Sequence, residues 1–399
     1  MVSVPEATRL IHEVIYRPGM ERIKIEQAEG RVLAEQVKAD RDFPPFDRVA
    51  MDGIAVAYSA IEEGWEGFRV EGLQPAGQPR LTLKNDKNCI EVMTGAMLPI
   101  GCDTVIRYED VILVNDIAKV KVKGIERGQS IHTRATDARR GDTILDVGQR
   151  ISTSEVALLA SVGRLETDVF RFPKVAIVST GTELVDIHDR PQPHQIRRSN
   201  SYALQAALQS MACSADLFHL ADERNAMERE LGKILPLYDV IILTGGVSKG
   251  KFDFVPAVLD SLGVTTVFHQ VSQKPGKPLF FGTTKKQAVF GLPGNPVSTF
   301  MCFYRYIRPW LLTGMGIQSV PSSAILAEDI TLKGGDLTHF LQVHVAFEGG
   351  RQLAYPRPGG GSGDFANLRQ ADGFLELPMG QTEYKSGQAY PYIPFRGAY

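Results

Sequence analysis

Three acidic residues stand beside glycine-rich turns in one stretch of the chain. Glu183 lies in STGTEL (179–184), Asp222 in LADE (220–223), and Asp253 closes TGGVSKGKFD (244–253). A fourth turn, GLPGNP (291–296), carries Pro293 and Pro296 but no acid. Bare glycine backbone, as at Gly181 and Gly250, lets N–H groups approach an anion, and a following helix N-terminus adds partial positive charge. A carboxylate in such a loop is unfavourable unless a cation intervenes, because like charges repel at short range. A divalent ion would resolve this, and Mg²⁺ is held by one or two carboxylates plus substrate oxygens. Solvated loop acids and plain strand-to-helix turns remain the alternative for each loop taken singly. Lys274 and Lys277 in KPGKP place two cations on a rigid extended turn suited to phosphate, although loop lysines equally well face solvent. One string misleads. GGVSKGKF fits GxxxxGK but ends in Phe252, where a P-loop needs a hydroxyl for Mg²⁺, which leaves a nucleotide triphosphatase only as an outside alternative.

The elements around these loops alternate from residue 172 onward. FPKVAIVSTG reads as a buried strand, SNSYALQAALQSMA as a helix opened by Ser199 or Asn200, and ADLFHLA, DVIILTGG and QAVFGLPGN as further strands. Helices at RNAMERELGKILPLY, FVPAVLDSLG and PVSTFMCFYRYIRPWLL separate or follow them. That rhythm predicts a parallel α/β sheet with right-handed crossovers over 172–318. All four loops then lie at carboxyl ends of strands, where open sheets bind ligands near a switch in strand order. Upstream, Val4, Ala7, Leu10, Ile11, Val14 and Ile15 recur at helical spacing. Residues 41–138 are short β-branched runs between turns and predict an all-β module. TSEVALLASVG then predicts a helix capped by Thr153 that pairs with the opening helix, which makes the β module an insertion between 1–40 and 139–171. Residues 319–399 return to short strands with glycine turns. Within the insertion, MDG holds Asp52 at a loop tip, and Thr94-Gly95-Ala96 ends a strand with a hydroxyl beside bare backbone.

The composition sets limits. Lys+Arg 44 against Asp+Glu 46 leaves a formal net charge of -2, so no whole-chain basic footprint for nucleic acid exists. No apolar run reaches the roughly 20 residues a membrane span needs. Glu6 and Glu13 interrupt the opening apolar pattern, unlike a secretory leader. The four cysteines show no CxxC, against a disulfide scaffold or zinc knuckle. His132, His188, His194, His339 and His344 lack metal-ligand spacing and read individually as surface or structural residues. A cytoplasmic, multi-domain α/β plus β protein is expected.

Taken together, PPFDRVAMDGIAV, MTGAMLPIGCDTVI, VSTGTELV, QIRRSN, TGGVSKGKFDF, KPGKPLFFG and GLPGNPVSTF resemble, in order and over nearly the whole chain, the MoeA family. The resemblance implies a helical linker domain, an inserted β domain, an α/β molybdopterin-binding domain and a C-terminal β-barrel-like domain. It further implies a homodimer with the site shared between chains. The implied reaction inserts molybdenum from molybdate into adenylylated molybdopterin, with Mg²⁺-dependent release of AMP. A partner adenylyltransferase is among the implied partners, and the alternatives are adenylylation itself or a non-catalytic pterin-binding scaffold. Carried over by motif, Asp52, Thr94, Glu183 and Asp137 would be catalytic. Gly181, Ser248, Gly250, Lys274, Lys277, Pro293 and Pro296 would bind substrate, and Asp222 and Asp253 would hold the metal. The chain departs from the family strings at Ala135-Thr136-Asp137, at His132, at His194-Gln195-Ile196, at Gly181-Thr182-Glu183-Leu184, and at His339 and Gln342 where basic residues are expected.

Overall fold

The computed structural model describes residues 1–14, 18–247, 254–317, 321–361 and 363–396. The α/β part is a six-stranded sheet in the order Ala215–Leu220, Val175–Thr180, Val240–Thr244, Ala288–Leu292, Phe280–Thr283, Thr265–His269. The first four strands are parallel, and the inner three, Val175–Thr180, Val240–Thr244 and Ala288–Leu292, are buried along their whole length. The other two run antiparallel to their neighbours, so the sheet is mixed at one edge where uniform parallel order was expected. That hairpin was invisible in the sequence because helix 255–261 returns directly into it, without a second crossover helix. Val175–Thr180 sits between the strand that follows it and the next one along the chain, which places the switch in strand order at its carboxyl end.

The helix Val4–Glu13, capped by Ser3, buries Val4, Ala7 and Ile11 in the same core as Leu204, Phe290, Trp310 and Leu311. Trp310 Nε1 donates to the carbonyl of Val14 at 2.8 Å. The opening helix therefore packs on the α/β sheet, not on helix Thr153–Ser161 as the spacing suggested; its apolar stripe matches either surface, and only the tertiary arrangement decides. Ser152, one residue before the expected Thr153, caps the second helix in a capping box with Glu155. The linker region is more strand than helix. Met20–Lys24 pairs with Glu166–Phe170, and Val37–Lys38 with Thr143–Leu145, over a small core of Leu33, Leu145, Leu159 and Val169.

The insertion leaves and returns through adjacent backbone. Phe43 bridges Ala138, and Arg48–Val49 pairs with Ile131–His132. Its own six-stranded sheet runs Thr104–Arg107, Gly53–Val56, Asn88–Val92, Gly67–Gln74, Ile117–Val120, Val111–Val114. In the last region, Thr338–Glu348 pairs with both Arg351–Pro356 and Gly373–Leu377, which closes a five-stranded barrel through Ser323–Leu326 and Ala389–Pro394. Gln273–Lys274 of the α/β region adds in parallel to the start of Thr338–Glu348.

Candidate active site

A cavity of about 610 Å³ opens at the carboxyl ends of the central parallel strands. Ser179, Thr180 and Gly181 leave Val175–Thr180; Thr244, Gly245 and Gly246 leave Val240–Thr244; Pro293 to Pro296 leave Ala288–Leu292. Packing explains the glycines at Gly245 and Gly246. A Cβ on Gly245 would lie 2.7 Å from the carbonyl oxygen of Thr180, and one on Gly246 would lie 2.7 Å from Val255 Cγ2. Both have positive φ, at 93° and 65°. The two loops thus approach so closely that neither Gly245 nor Gly246 has room for a side chain.

Glu183 and Asp222 both line this cavity, as do Gly181, Pro293 and Pro296. The peptide N–H of Thr182 donates to Asp222 Oδ2 at 3.3 Å, and the Asp222 N–H donates back to Thr182 Oγ1 at 3.4 Å. This reciprocal pair ties the STGTEL turn to the LADE turn. His219 lies below them, with Nε2 2.9 Å from the Gly181 carbonyl. The opposite wall is fixed by Asn200, whose Nδ2 donates to the Gly294 carbonyl at 2.8 Å and to Thr299 Oγ1 at 3.3 Å. Thr299 in turn donates to the carbonyl of Pro293. Two helix starts are thereby clamped to one proline turn.

The remaining expected residues are distributed elsewhere. Lys274 lines a second, smaller cavity of about 220 Å³ with His339, Gln342 and Arg357, between the α/β sheet and the barrel. Lys277 is exposed and lines neither cavity, although its neighbour Pro278 lines the first. Ser248, Gly250 and Asp253 lie outside the described residues. Asp52, Thr94 and Asp137 all sit on the insertion, and none lines the α/β cavity of its own chain. Asp52 and Thr94 do meet: Asp52 Oδ1 accepts from the Thr94 N–H at 2.6 Å and from its hydroxyl at 2.7 Å. Those two bonds, the backbone one first, hold the Asp52 carboxyl below the ordinary carboxylate range.

Residues not singled out from the sequence also belong to the cavity. Arg198 lines it and pairs with Asp186, whose carboxyl that guanidinium lowers. Ser179 is buried there, and its hydroxyl oxygen has no hydrogen-bond partner among the described residues. The available signal was the Arg-Arg-Ser-Asn run immediately ahead of a helical pattern, which places polar groups at a helix entrance facing a strand end.

Three family models divide the chain between them. The MoeA N-terminal region (domain I and II) matches residues 2–163, a probable molybdopterin binding domain matches 176–313, and the MoeA C-terminal region (domain IV) matches 323–395. A Synechocystis protein described as molybdopterin molybdenumtransferase is 40% identical over 397 residues, covering 98% of this chain and 99% of that protein.

The chain belongs to the MoeA family.

A Bacillus subtilis protein of the same description is 31% identical over 407 residues, covering 99% of this chain and 94% of its own. Two crystal structures of the molybdopterin biosynthesis MoeA protein from Pyrococcus horikoshii superpose with TM-scores of 0.85 and 0.84, at 30% and 28% identity, over 100% and 99% of this chain and 100% of theirs. The multi-domain architecture, with its α/β centre and closed C-terminal barrel, is thus that of MoeA. Among the described residues no helix is long and apolar enough to cross a membrane, and no cluster of three or more acidic, His or Cys side chains forms a ready-made metal cage.

Proposed function

We propose that this MoeA-family chain is a molybdopterin molybdenumtransferase: it takes adenylylated molybdopterin and molybdate, and releases AMP and the metal-loaded pterin. The observation that carries this reading is full-length similarity to proteins of that description, combined with a strand-end cavity lined by bare backbone, guanidinium and two carboxylates. Such a lining suits a phosphate-bearing ligand. The glycine N–H groups and Arg198 meet phosphate charge, and Asn200 fixes the wall against which the ligand lies.

Mg²⁺ fits the donor set in a particular way. With no three-residue cage among the described residues, an ion there is shared between protein carboxylate and substrate oxygens, the usual habit of Mg²⁺. Asp222 and Glu183 are the carboxylates at hand, with Asp253 as the further expected ligand. When bound, the ion screens phosphate charge and polarises the phosphoryl oxygen. Glu183, on the exposed lip, is placed to orient the attacking water.

Asp52, Thr94 and Asp137 are proposed to act on the cavity of a second copy in a homodimer. The linker supports such pairing. Its helix Thr153–Ser161 is apolar around its circumference yet buries only Leu159, and nearby Leu165 is 80% exposed and Val147 50%. Mixing an Asp52→Ala chain with a Glu183→Ala chain should restore up to about a quarter of activity, the share set by random pairing; no recovery in verified mixed dimers would refute shared sites. The reading as a whole is tested by AMP release from adenylylated molybdopterin with Mg²⁺, with and without molybdate. Release without any dependence on molybdate would refute metal insertion.

One observation favours a second reading. Among the described residues the cavity is lined by residues 179–296 and Gly363 alone, so adenylylation of molybdopterin by ATP needs nothing from the insertion. Full-length protein forming adenylylated molybdopterin and pyrophosphate from ATP would establish it.

A further inference from the structure

Asp137 lies on a loop of the insertion, 57% exposed at its side chain, in a setting that fixes its carboxylate through one partner among the described residues. That partner is His132, whose Nε2 lies 3.1 Å from Asp137 Oδ1. The other ring nitrogen, Nδ1, lies 2.9 Å from Nη2 of Arg48. Arg48 faces His132 directly because the strands Arg48–Val49 and Ile131–His132 pair antiparallel with these two residues in register. The loop backbone is separately fixed: the Asp137 N–H donates to the Phe43 carbonyl at 2.9 Å, and the Thr136 hydroxyl to the Thr133 carbonyl at 2.7 Å.

The donors determine the proton arrangement. A guanidinium has no lone pair, so it donates, and Nδ1 must be the acceptor. The proton of a neutral ring then sits on Nε2 and is donated to the carboxylate. Protonating His132 puts a hydrogen on Nδ1, facing a permanent cation at hydrogen-bond distance. The acceptor is lost and two positive charges meet, so the Arg48 contact that locks the ring breaks, and Asp137 is no longer held by a fixed ring.

The remaining charges nearby are already committed. Arg134, on the same loop, pairs with Asp42 at 2.6 Å, and Asp47 accepts from the Arg134 N–H at 2.8 Å. No acid from the preceding segment is therefore left to pair with a His132 cation in place of Asp137.

We propose that His132 is a positioning residue for Asp137, competent only as the neutral Nε2–H tautomer locked by Arg48, and that it imposes an acid-side limit on turnover. This inference rests on the reading that Asp137 takes part in the metal-insertion reaction.

Glutamine is the discriminating substitution. Its Oε1 can accept from Arg48 and its Nε2 can donate to Asp137, but it does not titrate. AMP release by the full-length dimer, with saturating molybdate and Mg²⁺, is to be followed from pH 5 to 8.5 for wild type, His132→Gln, His132→Ala, Arg48→Gln and Asp137→Asn. His132→Gln should keep more than half of wild-type kcat at pH 8 and lose the acid-side fall. His132→Ala should lower kcat at least tenfold at every pH with KM within threefold. Arg48→Gln should widen the active range toward acid, since the opposing cation is gone. All variants see the same substrate titration, so differences between profiles report the protein. A His132→Gln profile that keeps the wild-type acid limb, or a fully active His132→Ala beside an inactive Asp137→Asn, overturns the positioning role while leaving the role of Asp137 intact. A fully active Asp137→Asn overturns the underlying reading, and the positioning role with it.

Discussion

Thr299→Val separates the clamp on the proline turn from everything else in the cavity. Thr299 is 2% exposed and lies one helical turn into Pro296–Cys302. Its hydroxyl donates to the buried carbonyl of Pro293 and accepts from Asn200 at 3.3 Å. Valine is close in shape, so packing is kept while the Pro293 carbonyl loses its donor. Leaving one buried acceptor unmade costs about 1–3 kcal/mol. Asn200 retains its 2.8 Å bond to Gly294, which keeps the turn near its place and points to the lower half of that range. If the turn is the wall against which substrate lies, the deficit appears as a smaller population of the binding-competent loop. The lower half of that range, about 1–2 kcal/mol, corresponds to about 5- to 30-fold, so KM for adenylylated molybdopterin should rise about 5- to 30-fold with kcat at saturation nearly unchanged. Steady-state AMP release measures this, and hydrogen exchange at Gly294 and Asn295 reports the loosened turn. Thr299→Ser should recover wild-type KM. A variant that loses thermal stability while KM stays within twofold refutes the assignment of the turn to substrate contact.

Other consequences are simpler to read. A Cβ at position 53 would lie 2.0 Å from the Ile106 carbonyl, inside the inserted sheet, so Gly53→Ala should open the insertion to protease while the α/β core remains resistant; an unchanged digestion pattern would contradict the close strand approach. The carboxyls of Asp52 and Asp42 are held low, the first by Thr94 and the second by the Arg140 N–H and then Arg134. Because the folded values lie below the unfolded value near 3.9, their stabilisation is complete above it and is lost as pH falls through the lower folded values. Acid unfolding of the insertion should therefore begin below about pH 4 and shift upward in pH in Asp42→Asn, as followed by intrinsic Trp65 fluorescence; an unmoved transition argues against that pair. All four cysteines are buried, with thiols pushed up to about 12 by burial, so a thiol reagent at pH 8 should label none in the native protein and four in denaturant. A fast-reacting native thiol would be inconsistent with this packing.

Much of the arrangement was legible because glycine and proline mark where strands end. The four loops of 179–296 were placed correctly at one sheet edge, since a buried parallel strand reads as a continuous apolar run and its loop begins where that run stops. Glu183, Asp222, Pro293 and Pro296 followed from that. Arg198 and Asn200 did not, because an arginine ahead of a helix has no periodic signature and its partner Asp186 becomes close only through the paired strands Leu184–Val185 and Ile196–Arg197. Lys274 was assigned to the same cavity as Glu183, but its strand joins the barrel, a pairing that depends on residues far along the chain. The Arg48–His132 contact was equally hidden. It needs the register of two two-residue strands separated by the whole insertion, and His132 taken alone reads as an ordinary surface histidine.

The seating of Val4–Glu13 has a consequence for synthesis. This helix leaves the ribosome long before Phe290, Trp310 and Leu311, which share its core. Between the two lie the linker, the insertion and most of the α/β strands. A short amphipathic helix is marginal in isolation, so the nascent chain carries an unsatisfied apolar stripe until the segment around residue 310 has been made. The insertion closes on its own residues and can fold early, whereas the body waits for the segment around residue 310. Shielding of the opening helix by a chaperone, and sensitivity of yield to changes at Val4, Ala7 or Ile11, are then features of how the protein is made and not of how it works.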